Sequence, residues 1–376
     1  MTNDVKKVEP KIEKGGQDSW LKRLGRKLKT DRKAQIILIV VVAVLAAGTV
    51  LGYYAVSDGN LKFSDLKDKE QPEEETATAR RLDGVIVEEG ETDYWPVAVM
   101  IENLTSVRPQ SGLSDANVVY EALAEGGIAR FMAIFDNGGQ AEKIGPVRSA
   151  RSYYLEWLSE YDAMYTFSGA YPPVLAAVDG LGIKNINAMY AGSKYYYRDS
   201  GAAAPHNMFT SSDKLALALR DQKLDQKKTT YRSWKFKDEA EKSELPTGEQ
   251  EIKIDFSSGG YVVVYKYDRD TNTYLRFNPE GVMHTDRNNS KQIAPKNVVV
   301  IRVSKEVIDD KGRLEMDVHG EGEATMFAEG KATKGTWKKK DRTSRTIFYG
   351  EDGEEYSLVR GQTWVEVVPP DRSVTY

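Results

Sequence analysis

Val118-Val119-Tyr120-Glu121-Ala122-Leu123 and Arg130-Phe131-Met132-Ala133-Ile134-Phe135, parted by six residues that include Glu125-Gly126-Gly127, decide the fold of this chain. Each is a short apolar run with the β-branched and aromatic content of a buried strand. The double glycine supplies a tight turn or a close backbone approach. Two strands joined so briefly are antiparallel neighbours. Upstream, Val97-Ala98-Val99-Met100-Ile101 reads as a third buried strand. Downstream, Ala150, Tyr154, Trp157, Leu158 and Tyr161 recur at helical spacing and predict a helix over residues 149–161, with Pro146 and Ser149 as start signals. A strand follows at 164–167, a short helix at 173–178 that Gly180 ends, and a helix capped by Ser211 or Ser212 that runs to Leu219. The mixture predicts an α/β or α+β domain over residues 89–222.

Residues 223–251 are polar and charged, and read as a linker. From Ile252 to about residue 370 the texture is β. Runs at 261–267 and 274–277 flank Asp268-Arg269-Asp270-Thr271-Asn272-Thr273, a hairpin signal. Further short strands are expected at 298–303, 343–349, 355–359 and 363–368. This second unit, 252–370, is expected to be mostly antiparallel.

The run from Ile36 to Val56 contains no charge and has the length of a membrane-crossing helix. Residues 1–35 hold eleven Lys/Arg and five Asp/Glu. The basic tail is therefore expected in the cytoplasm, the helix as an uncleaved signal anchor, and everything after it outside the cell membrane. Residues 57–88 read as a disordered stalk, with order beginning near Tyr94. The whole chain carries −4, so the part beyond the anchor carries about −10, which disfavours non-specific nucleic-acid binding. Without cysteine there is neither a disulfide framework nor a lipid-attachment site in the sequence.

The unusual side chains concentrate in the first domain. Arg148, Ser149 and Arg151 fall at the expected helix start, where unpaired N–H groups and two guanidinium forks would suit a carboxylate or phosphate. Arg108 and Arg130 are further cations, with Tyr197, Arg198, His206 and Asn207 as groove-shaping partners. The competing reading pairs Arg148 and Arg151 with glutamates as structural ion pairs. For acid–base chemistry the candidates are Glu125, His206 and Glu102. The tyrosines 153–154 and 195–197 can stack on sugar faces, or simply pack the core. No metal-ligand spacing, dinucleotide fingerprint or nucleophile elbow is present, so no metal or cofactor is expected.

The stretches at 96–102, Arg108-Pro109-Gln110-Ser111-Gly112-Leu113, 118–135, Ile144-Gly145-Pro146-Val147-Arg148-Ser149-Ala150-Arg151 and 198–207 resemble the YerB-like family of Gram-positive cell-surface proteins. Residues 261–303 and 361–369 match its second part. The resemblance implies a two-part extracytoplasmic protein and carries no established reaction with it. Family members are often anchored by a lipid on cysteine; this chain offers an apolar run instead.

Three functions follow as expectations. The first is a binding protein for an anionic cell-envelope ligand, such as a wall polymer or its precursor, gripped by the arginines. The second is a hydrolase of wall glycan or peptide using Glu/His chemistry. The third is a structural or protein-interaction module. Whether the protein is an enzyme, and its oligomeric state, stay open at this stage.

Overall fold

All of Val97–Ile101 (β1), Val118–Leu123 (β2) and Ala129–Phe135 (β3) is buried, as near-continuous apolar strands covered on both faces should be. β2 and β3 pair antiparallel, and β3 pairs antiparallel with β1. Gly126 and Gly127 carry the turn with φ of 69° and 70°, a region that L-residues avoid. The computed structural model describes residues 78–88, 94–136, 140–257 and 259–376. The basic tail, the run from Ile36 to Val56 and most of the expected stalk lie outside these residues. Among the described residues no helix is long and apolar enough to cross a membrane.

The remaining main strands are Met164–Phe167 (β4), Asn185–Asn187 (β5), Glu251–Asp255 (β6), Val262–Asp268 (β7), Thr273–Phe277 (β8), Asn297–Arg302 (β9), Gly320–Ala328 (β10), Lys331–Lys339 (β11), Ile347–Gly350 (β12), Thr363–Val368 (β13) and Val374–Thr375 (β14). Ten of these fourteen strands, β1 to β3 included, form one sheet in the order β12-β11-β10-β9-β13-β2-β3-β1-β4-β5. β13 is inserted between β9 and β2 and runs parallel to both. A strand from the end of the chain thus joins its early and late halves. A second, antiparallel sheet has the order β8-β7-β6-β14.

Side chains alternate across a strand, and ring contacts show what covers each face. Tyr120 of β2 stacks on Trp157 of the helix Ser152–Leu158 (α1), with centroids 5.4 Å apart. Phe131 of β3 and Trp364 of β13 face the second sheet, where Arg276 and Tyr265 meet them. The fold is mostly β with few helices. The other helices are Pro172–Gly180 (α2), Ala188–Ala191 (α3) and Ser212–Asp221 (α4).

Three sequence expectations differ in detail. Order does not begin near Tyr94. Leu82 is buried in the core, and Asp83 accepts hydrogen bonds from Arg80 and from Asn117 Nδ2 (2.7 Å). The segment read as a linker carries Lys235–Lys237, which pairs with Ser357–Val359, and Trp234 is buried beside it. The helix expected from residue 149 begins at Ser152. The backbone before it is already engaged: Arg148 N donates to Met100 O, and Ala150 N donates to Gly169 O.

Candidate functional site

Glu102 follows β1 directly and is almost fully buried. Its two oxygens face different partners. Oε2 is 2.8 Å from His206 Nδ1. Oε1 is 3.0 Å from Arg148 Nε, an ion pair whose N–H is not aimed at the oxygen. His206 and Arg148 keep part of their surface in solvent. No protein partner is found for His206 Nε2 or for the terminal nitrogens of Arg148 among the described residues. The 206–210 segment reaches this place because Val147 N donates to Met208 O, and Ile144 and Thr210 exchange backbone hydrogen bonds.

Beside this cluster, Arg151 directly precedes α1, makes no capping hydrogen bond to it, and binds Glu125 through both carboxylate oxygens. Burial pushes Glu125 upward, but the hydrogen bonds and charge of Arg151 outweigh it and hold the carboxyl below its ordinary range. Arg130, at the start of β3, is 7% exposed. It donates from Nη1 to the Ser149 carbonyl (2.9 Å), and its Nε has no partner. No carboxylate pairs with it among the described residues. Burial, and then the neighbouring Arg151, lower its affinity for the proton. Ser149 Oγ donates to Ser168 O (2.9 Å). The structure therefore gathers Glu102, Glu125, Arg130, Arg148, Ser149, Arg151 and His206 around the ends of β1 and β2 and the start of β3.

Other expected members lie apart. Arg198 donates to Asn207 Oδ1 (2.6 Å), and Asn207 Nδ2 donates to Asp199 O, a local clamp beneath the His206 loop. Tyr197 is half-buried and stacks on Phe209. Tyr153, Tyr154 and Tyr196 are buried and donate to backbone carbonyls, so they pack the core rather than line a groove. The helix-terminus anion site is corrected: Arg148 precedes α1 by four positions, and α1 has seven residues.

Arg108 lies on the opposite face, in a network that sequence reasoning missed. Asn103 Oδ1 accepts from Arg108 Nε (2.8 Å) and from Gln110 Nε2 (3.1 Å), while Asn103 Nδ2 donates to Glu121 Oε1 (3.0 Å). Arg276 donates to Glu121 Oε2 (2.5 Å) and to His284 Nδ1. His284 Nε2 lies 2.8 Å from Gln110 Oε1 and closes the ring. Only a neutral imidazole with its proton on Nε2 satisfies every donor and acceptor. Burial first, then Arg276 and Arg108, hold His284 well below its ordinary value, in agreement with that tautomer. Glu366 stands opposite Glu121 across the β13–β2 pair and accepts from Tyr265. Its second oxygen has no donor, as a protonated carboxyl directed at Glu121 would leave it. Local sequence pattern does not reveal His284, because its partners are 8 and 174 positions away.

Fold and site together define a two-part, mostly β protein whose halves share a sheet and whose charged residues cluster at one end of it. The chain belongs to the YerB-like family. Residues 82–225 match the model described as "Protein of unknown function (DUF3048) N-terminal domain", and residues 252–365 match the corresponding C-terminal domain. It is 30% identical to "Putative lipoprotein YerB" of Bacillus subtilis (strain 168) over 297 residues, 77% of this chain and 85% of the relative. The crystal structure of YerB protein from Bacillus subtilis superposes with a TM-score of 0.69 at 30% identity, covering 79% of this chain and 99% of that one.

Proposed function

We propose that this protein is an extracytoplasmic binding protein, held at the cell membrane by the run from Ile36 to Val56, that takes an anionic group of the cell envelope at Arg130, Arg148 and His206. The observation that carries this reading is the buried guanidinium of Arg130, which forms no ion pair among the described residues. The cluster holds three arginines and two glutamates, and each glutamate is already matched by Arg148 or Arg151. A buried charge is costly unless paired, so an anion from outside is the missing partner. This narrows the expected four-arginine grip: Arg108 belongs to another network and Arg151 is neutralised by Glu125. The lipoprotein name of the relative supports the membrane-surface location. With no cysteine in this sequence, the apolar run supplies the attachment. Protease added to intact cells should then digest residues 57–376; full protection would reverse the orientation.

The binding test uses the full-length chain incubated with purified wall polymer, with mass analysis of retained and released material. Retention of unaltered polymer that Arg130→Gln abolishes, at unchanged secondary structure, is the expected result. Retention by the variant equal to that of the parent refutes the site. A second reading has its own observation. A buried carboxylate holding Nδ1 of a histidine whose Nε2 is open is the geometry of an oriented base. Release of new chain ends that His206→Gln stops would favour the hydrolase in the same incubation.

A further inference from the structure

Two of the most exposed large hydrophobic side chains lie close to this charged cluster. Met189 and Tyr190 are 67% and 80% exposed on α3. The short helix is tied to the arginine loop rather than free on the surface. Asn187 Oδ1 caps it by accepting from Met189 N (3.1 Å) and also accepts from Gly169 N (2.9 Å). Ser168 N and Gly169 O in turn bond Arg148 O and Ala150 N, both at 3.0 Å. Gly169 has φ +68°, and a Cβ there would come 3.3 Å from Met189 Cγ, so the loop and α3 are in close contact.

Strand order sets the spacing. β1, β4 and β5 are consecutive parallel neighbours. Glu102, Ser168 and Ala188 follow their carboxyl ends, the side of an open α/β sheet where ligands bind. Two interstrand spacings put α3 about 10 Å from Glu102 at the backbone, and a third puts it about 14 Å from Arg130 on β3, distances that the long arginine and tyrosine side chains shorten. A cationic site and an exposed phenol with a neighbouring thioether thus sit within one small ligand's reach, on a bonded frame.

We propose that the ligand is a sugar bearing an acidic substituent, with one pyranose face on Tyr190 and Met189 and the acid at Arg148 and Arg130. A tyrosine offers apolar area for the C–H face of a sugar and a hydroxyl for its edge. Exposed apolar surface beside uncompensated positive charge fits an amphipathic anion better than a bare one. The inference rests on the anion-binding reading and adds the platform.

Calorimetric titration of the full-length chain with glucuronate, glucose 1-phosphate, acetate, inorganic phosphate and glucose separates the two. Each acidic sugar should bind at least tenfold more tightly than its sugarless anion, and glucose should not bind measurably. The stronger acidic sugar distinguishes carboxylate from phosphate. Tyr190→Ala should erase the tenfold margin while leaving acetate and phosphate affinity unchanged, which a general loss of structure would not do. Arg130→Gln should remove binding of all four anions. If the margin is absent, or survives Tyr190→Ala, the platform is refuted while anion binding stands. If none of the anions binds, both readings fall.

Discussion

Arg130 is the residue on which stability and function pull in opposite directions. Its guanidinium is desolvated, gives one hydrogen bond to Ser149 O and forms no direct ion pair among the described residues, the Glu125 carboxylate held by Arg151 acting on it only through space. Replacing a buried charge by a well-shaped apolar side chain is often neutral or stabilising. Arg130→Met is therefore expected to leave ligand-free stability within about 1 kcal/mol of the parent, or to raise it, while anion binding disappears. Urea unfolding checks this; a loss of about 3 kcal/mol or more would show that an intramolecular partner compensates the charge. At this scale the sequence was legible by residue type but not by pairing. Of the two glutamates named beside His206 for acid–base chemistry, Glu102 lies 2.8 Å from its Nδ1, and Glu125 is held by Arg151 instead. Arg151 follows the competing structural reading, bound to both oxygens of Glu125, while Arg148 faces Glu102 and keeps part of its surface in solvent. Which arginine stays unmatched depends on contacts between residues 19 to 46 positions apart, and composition does not encode those.

Between elements, the ring joining β2 and β13 to β7 and β8 makes the packing of the two sheets sensitive to pH. His284 stays neutral in the fold, whereas the unfolded chain protonates it as pH falls through about 6.5. The unfolded state then binds more protons, so this group lowers stability as pH drops below about 6.5, by about 1.4 kcal/mol per unit until the folded value is reached. Glu366 has the opposite sign. Burial, and then Glu121, keep its proton on, well above the ordinary 4.5, so the unfolded chain releases a proton that the fold retains. Stability therefore falls as pH rises above about 4.5, up to the raised folded value. Where their ranges overlap, between about 4.5 and 6.5, the two slopes oppose each other. Glu366→Gln should gain stability relative to the parent as pH rises above about 4.5, measured by urea midpoints at a series of pH values. A difference that does not change with pH would mean Glu366 is ionised in the fold. The individual strands of this region were legible, because Tyr265 and Tyr274 mark a hairpin of alternating side chains. The long hairpin β10–β11 was not. Its exposed positions carry Glu, Lys and Thr, and its buried positions fall late in each strand, at Ala324 and 326–328 in β10 and at Trp337 and Lys339 in β11, so the period-2 signal is diluted by charge.

At the scale of the molecule, two stretches that read as separate units are stitched by β13. Its six residues are all buried, parallel to β9 on one side and β2 on the other. Parallel pairs need long crossovers, and the segment between residues 123 and 363 is such a crossover, far too long for local periodicity to reveal. Trp364 is the central residue of the seam. It is fully buried, meets Phe131, His284 and Tyr265 edge-on, and lies 4.8 Å from the Arg276 guanidinium. Trp364→Ala removes packing from both halves at once, and large-to-small changes at such sites cost about 3–5 kcal/mol. If the halves fold as one unit, the loss appears as a single unfolding transition shifted whole. Native-state hydrogen exchange should then quicken equally at Val118–Leu123 and at Asn297–Arg302. Independent units would instead give two transitions, with protection lost only around Asn297–Arg302 and Thr363–Val368 while Val97–Ile101 and Ala129–Phe135 keep theirs. That outcome would make the shared sheet a docking of separately stable parts, whereas the buried ring and the inserted strand require one cooperative body.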